Sequence, residues 1–259
     1  MFKIIANREV GPDIFQLVLN YDQLPQNPEP GQFFNIKVSQ QGSDDPLLRR
    51  PFSIFDFDAA EKRVEFIYKV VGKGTKILSE LEIGTELDVL GPLGTPFSLN
   101  KNKGNVHLIG GGMGIAPLYY LAKKLKSNQQ KIYLGAANEA DLKFFKEKFE
   151  GLGVECHLAA MEEKLEIKGS ALVLWLNYLQ QESPNYVYTC GPEKMLAAVE
   201  KECLKNNIGG ELSVEKRMGC GIGVCLSCSC ETKSDENKNK RACVEGPVFA
   251  MGEVVLSGC

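Results

Sequence analysis

The chain has 259 residues, enough for two or three compact units. Apolar residues make up 44% and charged residues 24%, a balance that supplies hydrophobic cores and excludes a disordered chain. A net charge of −3 gives no electrostatic case for nucleic acid or an anionic membrane surface, and no apolar run is long enough to span a bilayer.

Residues 1–99 read as β structure. Phe15, Leu17 and Leu19, and later Val64, Phe66, Tyr68 and Val70, recur at every second position, the period of half-buried strands. Turns at Gly11-Pro12, Gly91-Pro92 and 94–96 punctuate them, which predicts a closed antiparallel barrel or a sandwich. Arg50-Pro51-Phe52-Ser53 stands out within this stretch. An Arg pairs with phosphate, an aromatic stacks on a flat ring and a Ser hydrogen-bonds a ring nitrogen; the same four residues also make an ordinary strand start with an exposed Arg. Gly72-Lys73-Gly74-Thr75 precedes a short helical pattern and offers a second phosphate contact. The first residues lack the apolar core of an export signal, and nine cysteines without one predict a reducing, cytoplasmic setting.

A polar linker at 100–104 marks a boundary, and strands alternate with helices over 100–210. Residues 106–109 predict a buried strand, followed by Gly110 to Gly114 and a helix with Leu118, Leu121, Ala122 and Leu125 on one face. Strands are expected at 131–136 and 154–158, helices at 141–149 and 193–205, and further strands in the apolar runs 171–176 and 187–189. This alternation predicts an open parallel sheet of the dinucleotide-binding kind. Gly111, Gly112 and Gly114 lie between strand and helix, where a pyrophosphate approaches backbone N–H groups; a tight turn is the plainer reading. Thr189-Cys190-Gly191-Pro192 ends a later strand at the edge where ligands sit, although Cys190 also suits a small buried apolar position. The second strand runs out at Glu139 and Asp141 with no Lys or Arg before Lys143, which predicts NAD over NADP, because a 2′-phosphate would meet carboxylates without a cation. His107 and His157 fall in apolar strand segments and are expected to be satisfied core residues.

Over 211–259 the pattern changes to RMGCGIGVCLSCSC followed by RAC. Cys220, Cys225, Cys228 and Cys243 form C-x4-C-x2-C with a distant fourth cysteine, the plant-type spacing for a 2Fe–2S cluster. Gly219, Gly221 and Gly223 let the loop fold tightly. A four-cysteine zinc knot also uses thiolates, but it normally takes two C-x2-C knuckles and this segment has one. Cys230 is either a spare thiol or one that trades places with a ligand.

RPFS at 50–53, GKGT at 72–75, GGGMGIAP at 110–117 and CGP at 190–192 resemble the ferredoxin–NADP reductase superfamily. EKRMGCGIGVCLSC followed by RACVEGPVF resembles the family of electron-transfer subunits of type B, NAD-dependent dihydroorotate dehydrogenases, and the likeness extends over essentially the whole chain. The resemblance implies an N-terminal antiparallel β-barrel that binds FAD (1–99), a central open parallel α/β sheet that binds NAD (100–210) and a small C-terminal 2Fe–2S domain (211–259). It implies that Arg50, Pro51, Phe52, Ser53, Ile67, Tyr68, Lys69, Gly74 and Thr75 bind FAD. Gly111, Gly112, Gly114, Cys190 and Gly191 would take the pyridine nucleotide, and Cys220, Cys225, Cys228 and Cys243 the cluster. It further implies a separate FMN-containing dihydroorotate dehydrogenase catalytic subunit, in a heterotetramer of two of each. Electrons would pass from that FMN through the cluster and FAD to NAD, in pyrimidine biosynthesis. NADH-linked ferredoxin reductases and sulfhydrogenase diaphorase subunits share this architecture and form the alternative reading; a zinc-binding interaction module is the alternative of another class.

Overall fold

Seven strands build the N-terminal unit: β1 (Phe2–Gly11), β2 (Ile14–Tyr21), β3 (Phe33–Ile36), β4 (Arg50–Asp58), β5 (Arg63–Lys69), β6 (Glu86–Leu87) and β7 (Val89–Leu93). The computed structural model describes residues 1–38, 45–100, 104–125, 129–162, 165–234 and 239–256. The strands pair antiparallel in the order β6-β1-β2-β5-β4-β3-β7. β6 and β7 stand at opposite edges, yet only Asp88 separates them in the chain. The sheet must therefore curl until its edges meet, and the Lys37 N–H donates to the Asp88 carbonyl at 2.9 Å where they do. Leu17, Leu19, Phe34 and Phe66 fill the interior of this nearly closed barrel. A short helix, α1 (Lys73–Ser79), follows β5.

The second sheet comprises β8 (Asn105–Gly111), β9 (Gln129–Ala136), β10 (Glu155–Ala160), β11 (Ile167–Lys168), β12 (Tyr186–Cys190) and β13 (Gly209–Ser213), with helices α2 (Ala116–Lys124), α3 (Ala140–Glu150), α4 (Ala171–Leu179) and α5 (Glu193–Lys205). Its order is β11-β10-β9-β8-β12-β13-β16, all parallel except β16 (Val248–Ala250), which runs against β13. The chain steps outward from β8 to β11 and then returns to the other side for β12. β8 and β12 thus flank the topological switch point, where ligands bind in such sheets. Gly111 and Cys190 end those two strands.

One expected strand is a helix. The apolar run 171–176 forms the first part of α4, because a short buried run carries no period that separates strand from helix. Ser170 caps it by accepting from the Val173 N–H, and the run is rich in Leu with a single β-branched residue, Val173. At Gly135 a Cβ would come 2.3 Å from the Ala171 nitrogen, so the glycine lets the helix start directly against β9. Trp175, fully buried, donates to His107 Nδ1 at 3.1 Å. His107 Nε2 is buried without a partner, so that histidine is only half satisfied, whereas His157 bonds Glu155 and Glu166 through its two nitrogens.

The C-terminal segment adds a small ribbon of β14 (Ser229–Cys230) and β15 (Lys240–Arg241) before β16. It is fastened to the barrel as well as to the sheet. The Thr95 N–H donates to the Gly246 carbonyl at 2.6 Å, and the Thr95 hydroxyl reaches the carbonyls of Val244 and Glu245. Residues 101–103 of the polar linker, and 235–238 of the loop before Cys243, lie outside the described residues. No helix among the described residues is long and apolar enough to cross a membrane. Trp175→Ala should cost about 3–5 kcal/mol by opening a cavity between α4 and the sheet, which urea unfolding followed by far-ultraviolet circular dichroism will measure.

Candidate functional site

β4 and β5 pair antiparallel with Ile54 opposite Phe66, so the motifs at 50–53 and 67–69 come side by side although separate in sequence. Pro51, Phe52, Ser53, Ile67, Tyr68 and Lys69 line one wall of a cavity of about 360 Å³. The Phe52 and Tyr68 rings meet edge to face at 5.6 Å. The Tyr68 hydroxyl donates to Asn7 Oδ1 at 3.0 Å, and burial pushes its phenol up. Asn7 in turn donates to the carbonyls of Leu78 and Leu81, which ties the ring to the end of α1. Arg50, Gly74 and Thr75 lie outside this cavity lining. A Cβ at Gly74 would come 2.9 Å from Arg50 Nε, so the guanidinium rests directly on the glycine turn. The Thr75 hydroxyl accepts from the N–H groups of Val71 and Gly72 and is spent on shaping that turn.

The opposite wall of the same cavity is built by Met113, Cys190 and the stretch 213–216. Cys190 is 2% exposed, burial pushes its thiol well up and Glu215 adds to the shift, so it stays a neutral thiol. Cys190 is thus small and buried, and it also lines a cavity at the switch point. Glu215, to which the sequence pattern assigned no role, lines the cavity too; the residue is exposed overall, and desolvation of its carboxyl pushes it up. Its only signal in the chain is an acid after the end of β13; its place in the cavity lining is tertiary.

A second cavity of about 490 Å³ takes Gly111, Gly112, Ala136, Ala137, Pro192 and Met195 into its lining. Gly112 has φ +55° and nothing within 4 Å of where a Cβ would sit, an open approach for an anionic group. Gly114 does a different job. A Cβ there would lie 2.5 Å from the Cys190 carbonyl carbon, so its bareness lets the two turns touch. Gly191 matches it from the other side, with φ +152° and the Gly111 nitrogen 3.0 Å from its Cβ position. Between the two cavities lies a cleft of about 230 Å³ bordered by Lys69 and Asp141. No cation was expected beside Asp141, yet Lys69 Nζ lies 2.9 Å from it. The cation comes from the barrel, which local sequence cannot reveal. Of the two acids after the second strand, Glu139 is the exposed one.

The four cysteines of the C-terminal pattern gather as two pairs. The Cys225 and Ile222 N–H groups donate to Cys220 Sγ at 3.4 and 3.5 Å, and the Cys220 N–H to Cys225 Sγ at 3.4 Å. Positive φ at Gly221 and Gly223 turns the loop so that these donors converge. They hold the Cys220 thiol below its ordinary range; the Ser227 hydroxyl, with the backbone donors, brings Cys225 down to about 6. Cys228 and Cys243 form the inner pair, sulfurs 3.3 Å apart and both buried. Burial, then Cys228, pushes Cys243 up to about 12. Arg241 braces the loop, donating to the Gly223 carbonyl at 2.9 Å and to Glu245 at 3.0 Å. The buried Cys230 thiol bonds the Cys228 carbonyl at 3.8 Å. Among the described residues no three His, Cys, Asp or Glu side chains gather to hold one ion. Two pairs of thiols fit a two-iron cluster, one pair to each iron.

Residues 1–108 match the oxidoreductase FAD-binding domain family, and residues 215–255 match the iron-sulfur cluster binding domain of dihydroorotate dehydrogenase B. The chain is 38% identical over 260 residues to the electron transfer subunit of dihydroorotate dehydrogenase B (NAD(+)) from Shouchella clausii, covering 98% of this chain and 96% of that protein. The subunit of the same description from Geobacillus thermodenitrificans is 36% identical over 259 residues, covering 98% and 97%. Among solved structures, a chain of the NADH-dependent reduced ferredoxin-NADP oxidoreductase superposes with a TM-score of 0.85 at 28% identity, covering 99% of this chain and 90% of that one. The ferredoxin reductase of carbazole 1,9a-dioxygenase shares the fold, with a TM-score of 0.68 at 22% identity over 80% of this chain and 65% of that one.

The thiol chemistry has a direct test in cluster-free protein. Alkylation of Cys225 by iodoacetamide should rise with pH about a midpoint near 6, because the thiolate is the reactive form above its pKa. Ser227→Ala removes the leading donor and should move the midpoint toward the ordinary value of about 8.5; peptide mass mapping across pH reads both.

Proposed function

The chain belongs to the family of dihydroorotate dehydrogenase B electron-transfer subunits, and from that premise we propose how its residues divide the work. It is the subunit of an oxidoreductase that carries FAD and an iron–sulfur cluster and uses NAD, alongside a dihydroorotate dehydrogenase catalytic subunit in pyrimidine biosynthesis. The observation that carries the site assignment is a single cavity bounded by β4 and β5, by the end of β12 and by the stretch leading into the cysteine loop. A flavin bound there can trade single electrons with a cluster and a hydride with nicotinamide.

Phe52 and Tyr68 wall the flat ring system, Tyr68 being held by Asn7. Pro51, Ser53, Ile67 and Lys69 shape the rest of that wall. Arg50, lying on the Gly74 turn that Thr75 shapes, offers a guanidinium to the pyrophosphate. Gly111 and Gly112 receive the dinucleotide, and Cys190 meets the nicotinamide as a neutral thiol that brings no charge to the site. Gly114 and Gly191 keep the two turns in contact. Cys220 with Cys225 holds one iron, and Cys228 with Cys243 the other. Glu139, exposed after the second strand, disfavours a 2′-phosphate.

The partner reading adds that the catalytic subunit carries FMN and that two copies of each chain assemble. What supports docking at the cysteine loop is a collar of exposed aliphatic side chains: Ile222 at 52%, Val224 at 75%, Leu226 at 60% and Val244 at 40%. Clustered exposure of this kind marks an interaction surface. Leu226 is presented from φ +59°, a backbone that bulky residues rarely adopt.

Expressing the chain with and without the catalytic subunit tests the division of labour. Alone, it should pass electrons from NADH to dyes and leave dihydroorotate untouched; turnover of dihydroorotate by the purified single chain would overturn it. Val224→Asp should spare dye reduction and lower dihydroorotate-dependent NAD reduction about tenfold or more, since an unpaired buried charge costs several kcal/mol at an interface. Cys225→Ser should lose the cluster's electron paramagnetic resonance signal on reduction, whereas Cys230→Ser should keep it.

A further inference from the structure

Lys69 is the last residue of β5 and lines the flavin cavity. Its ammonium crosses from the barrel to the nucleotide-binding sheet and meets Asp141, in the first turn of α3, at 2.9 Å. The same two side chains border the intermediate cleft with Gly112, Ala136 and Ala137, and those three residues also line the nucleotide cavity. One ion pair therefore sits where the flavin wall, the glycine turn and the end of the second strand come together. The carboxylate is only 10% exposed, and its Oδ1 is buried with no hydrogen-bond partner. Lys69 and the N-terminal end of α3 offset its charge, but the empty acceptor makes it a poor choice for a strut that only stabilises.

We propose that Asp141 is a positioning residue for hydride transfer: through Lys69 it fixes the barrel wall of the flavin cavity against the turn that receives the dinucleotide. The inference rests on the flavin reading of the cavity walled by β4 and β5. Neither residue needs to touch the reacting atoms. A displacement of about 1 Å between the two rings is enough to lower the rate by up to about a hundredfold.

The test uses the FAD-loaded full chain and compares Asp141→Asn, Asp141→Glu, Lys69→Met and the double variant Asp141→Asn with Lys69→Met. Lys123→Met serves as the comparison, because Lys123 and Asp56 form another barrel-to-sheet ion pair, at 2.7 Å and with similar exposure, that borders none of these three cavities. Asp141→Asn should lower kcat for NADH-to-dye transfer about tenfold or more, with a smaller change in KM. Asp141→Glu keeps the charge on a longer arm and should stay folded yet remain slow. The double variant should be no slower than Lys69→Met alone, and Lys123→Met should stay within about twofold of the parent. Independently of turnover, the visible circular dichroism of the bound flavin should change in the Asp141 variants and not in Lys123→Met. An unchanged kcat and flavin spectrum in the Asp141 variants, effects that multiply in the double variant, or an equal loss in Lys123→Met would each overturn the proposal. A parent chain that retains no FAD would instead overturn the flavin reading beneath it.

Discussion

The contact between two bare turns at the switch point sets the geometry of everything around it. A side chain at position 114 would place its first carbon 2.5 Å from the Cys190 carbonyl carbon, and a Cβ at 191 would press on Gly111. With both absent, the turn after β8 and the turn after β12 lie back to back. One face of the pair then opens to the cavity of about 490 Å³ through Gly111 and Gly112, and the other to the cavity of about 360 Å³ through Cys190. What lies between the two cavities here is a wall of backbone. Backbone placed by a parallel sheet cannot swing as a side chain does, so the two cavities keep a fixed relation to each other.

The barrel is held to this wall by packing and by charge. Phe55 of β4 stacks on Tyr119 of α2 at 4.4 Å, and Lys123 on the same helix pairs with Asp56. The C-terminal segment then closes a third side. β16 extends the sheet beside β13, while Thr95 of the barrel bonds the chain just before it. The cysteine loop is thus suspended between two rigid sheets. Its own fold depends on N–H groups aimed at sulfur, which favour thiolate in the outer pair, while burial raises Cys243 in the inner one. The outer cysteines lie among the exposed aliphatic residues and the inner ones face the core, so the loop has a solvent-facing and a core-facing side.

Much of this was legible in the chain because local chemistry demanded it. Alternation at Leu17, Leu19, Val64 and Phe66 predicted strands, since a half-buried strand has no other way to arrange its faces. The run of glycines before the helix at Ala116 predicted a tight strand-to-helix turn, and the spacing of Cys220, Cys225, Cys228 and Cys243 predicted a thiolate cluster site. The run 171–176 went the other way. It is apolar all round, and only a helix cap at Ser170 and the bare Gly135 beneath it decided for α4.

By itself, then, the sequence determined most of the elements, the order of the two cavity-forming motifs and the spacing of the cysteines, because period, turn chemistry and ligand spacing act over a few residues. Tertiary structure alone decided which of the glycines faces a cavity and which merely lets two turns touch. It also decided that Glu215 joins Cys190 in lining one cavity, and that Asp141 meets Lys69 from the barrel instead of standing open. Each of these depends on what a distant segment brings into contact. Burial and charge pairing are set by the whole fold, and no stretch of chain encodes its own distant neighbours.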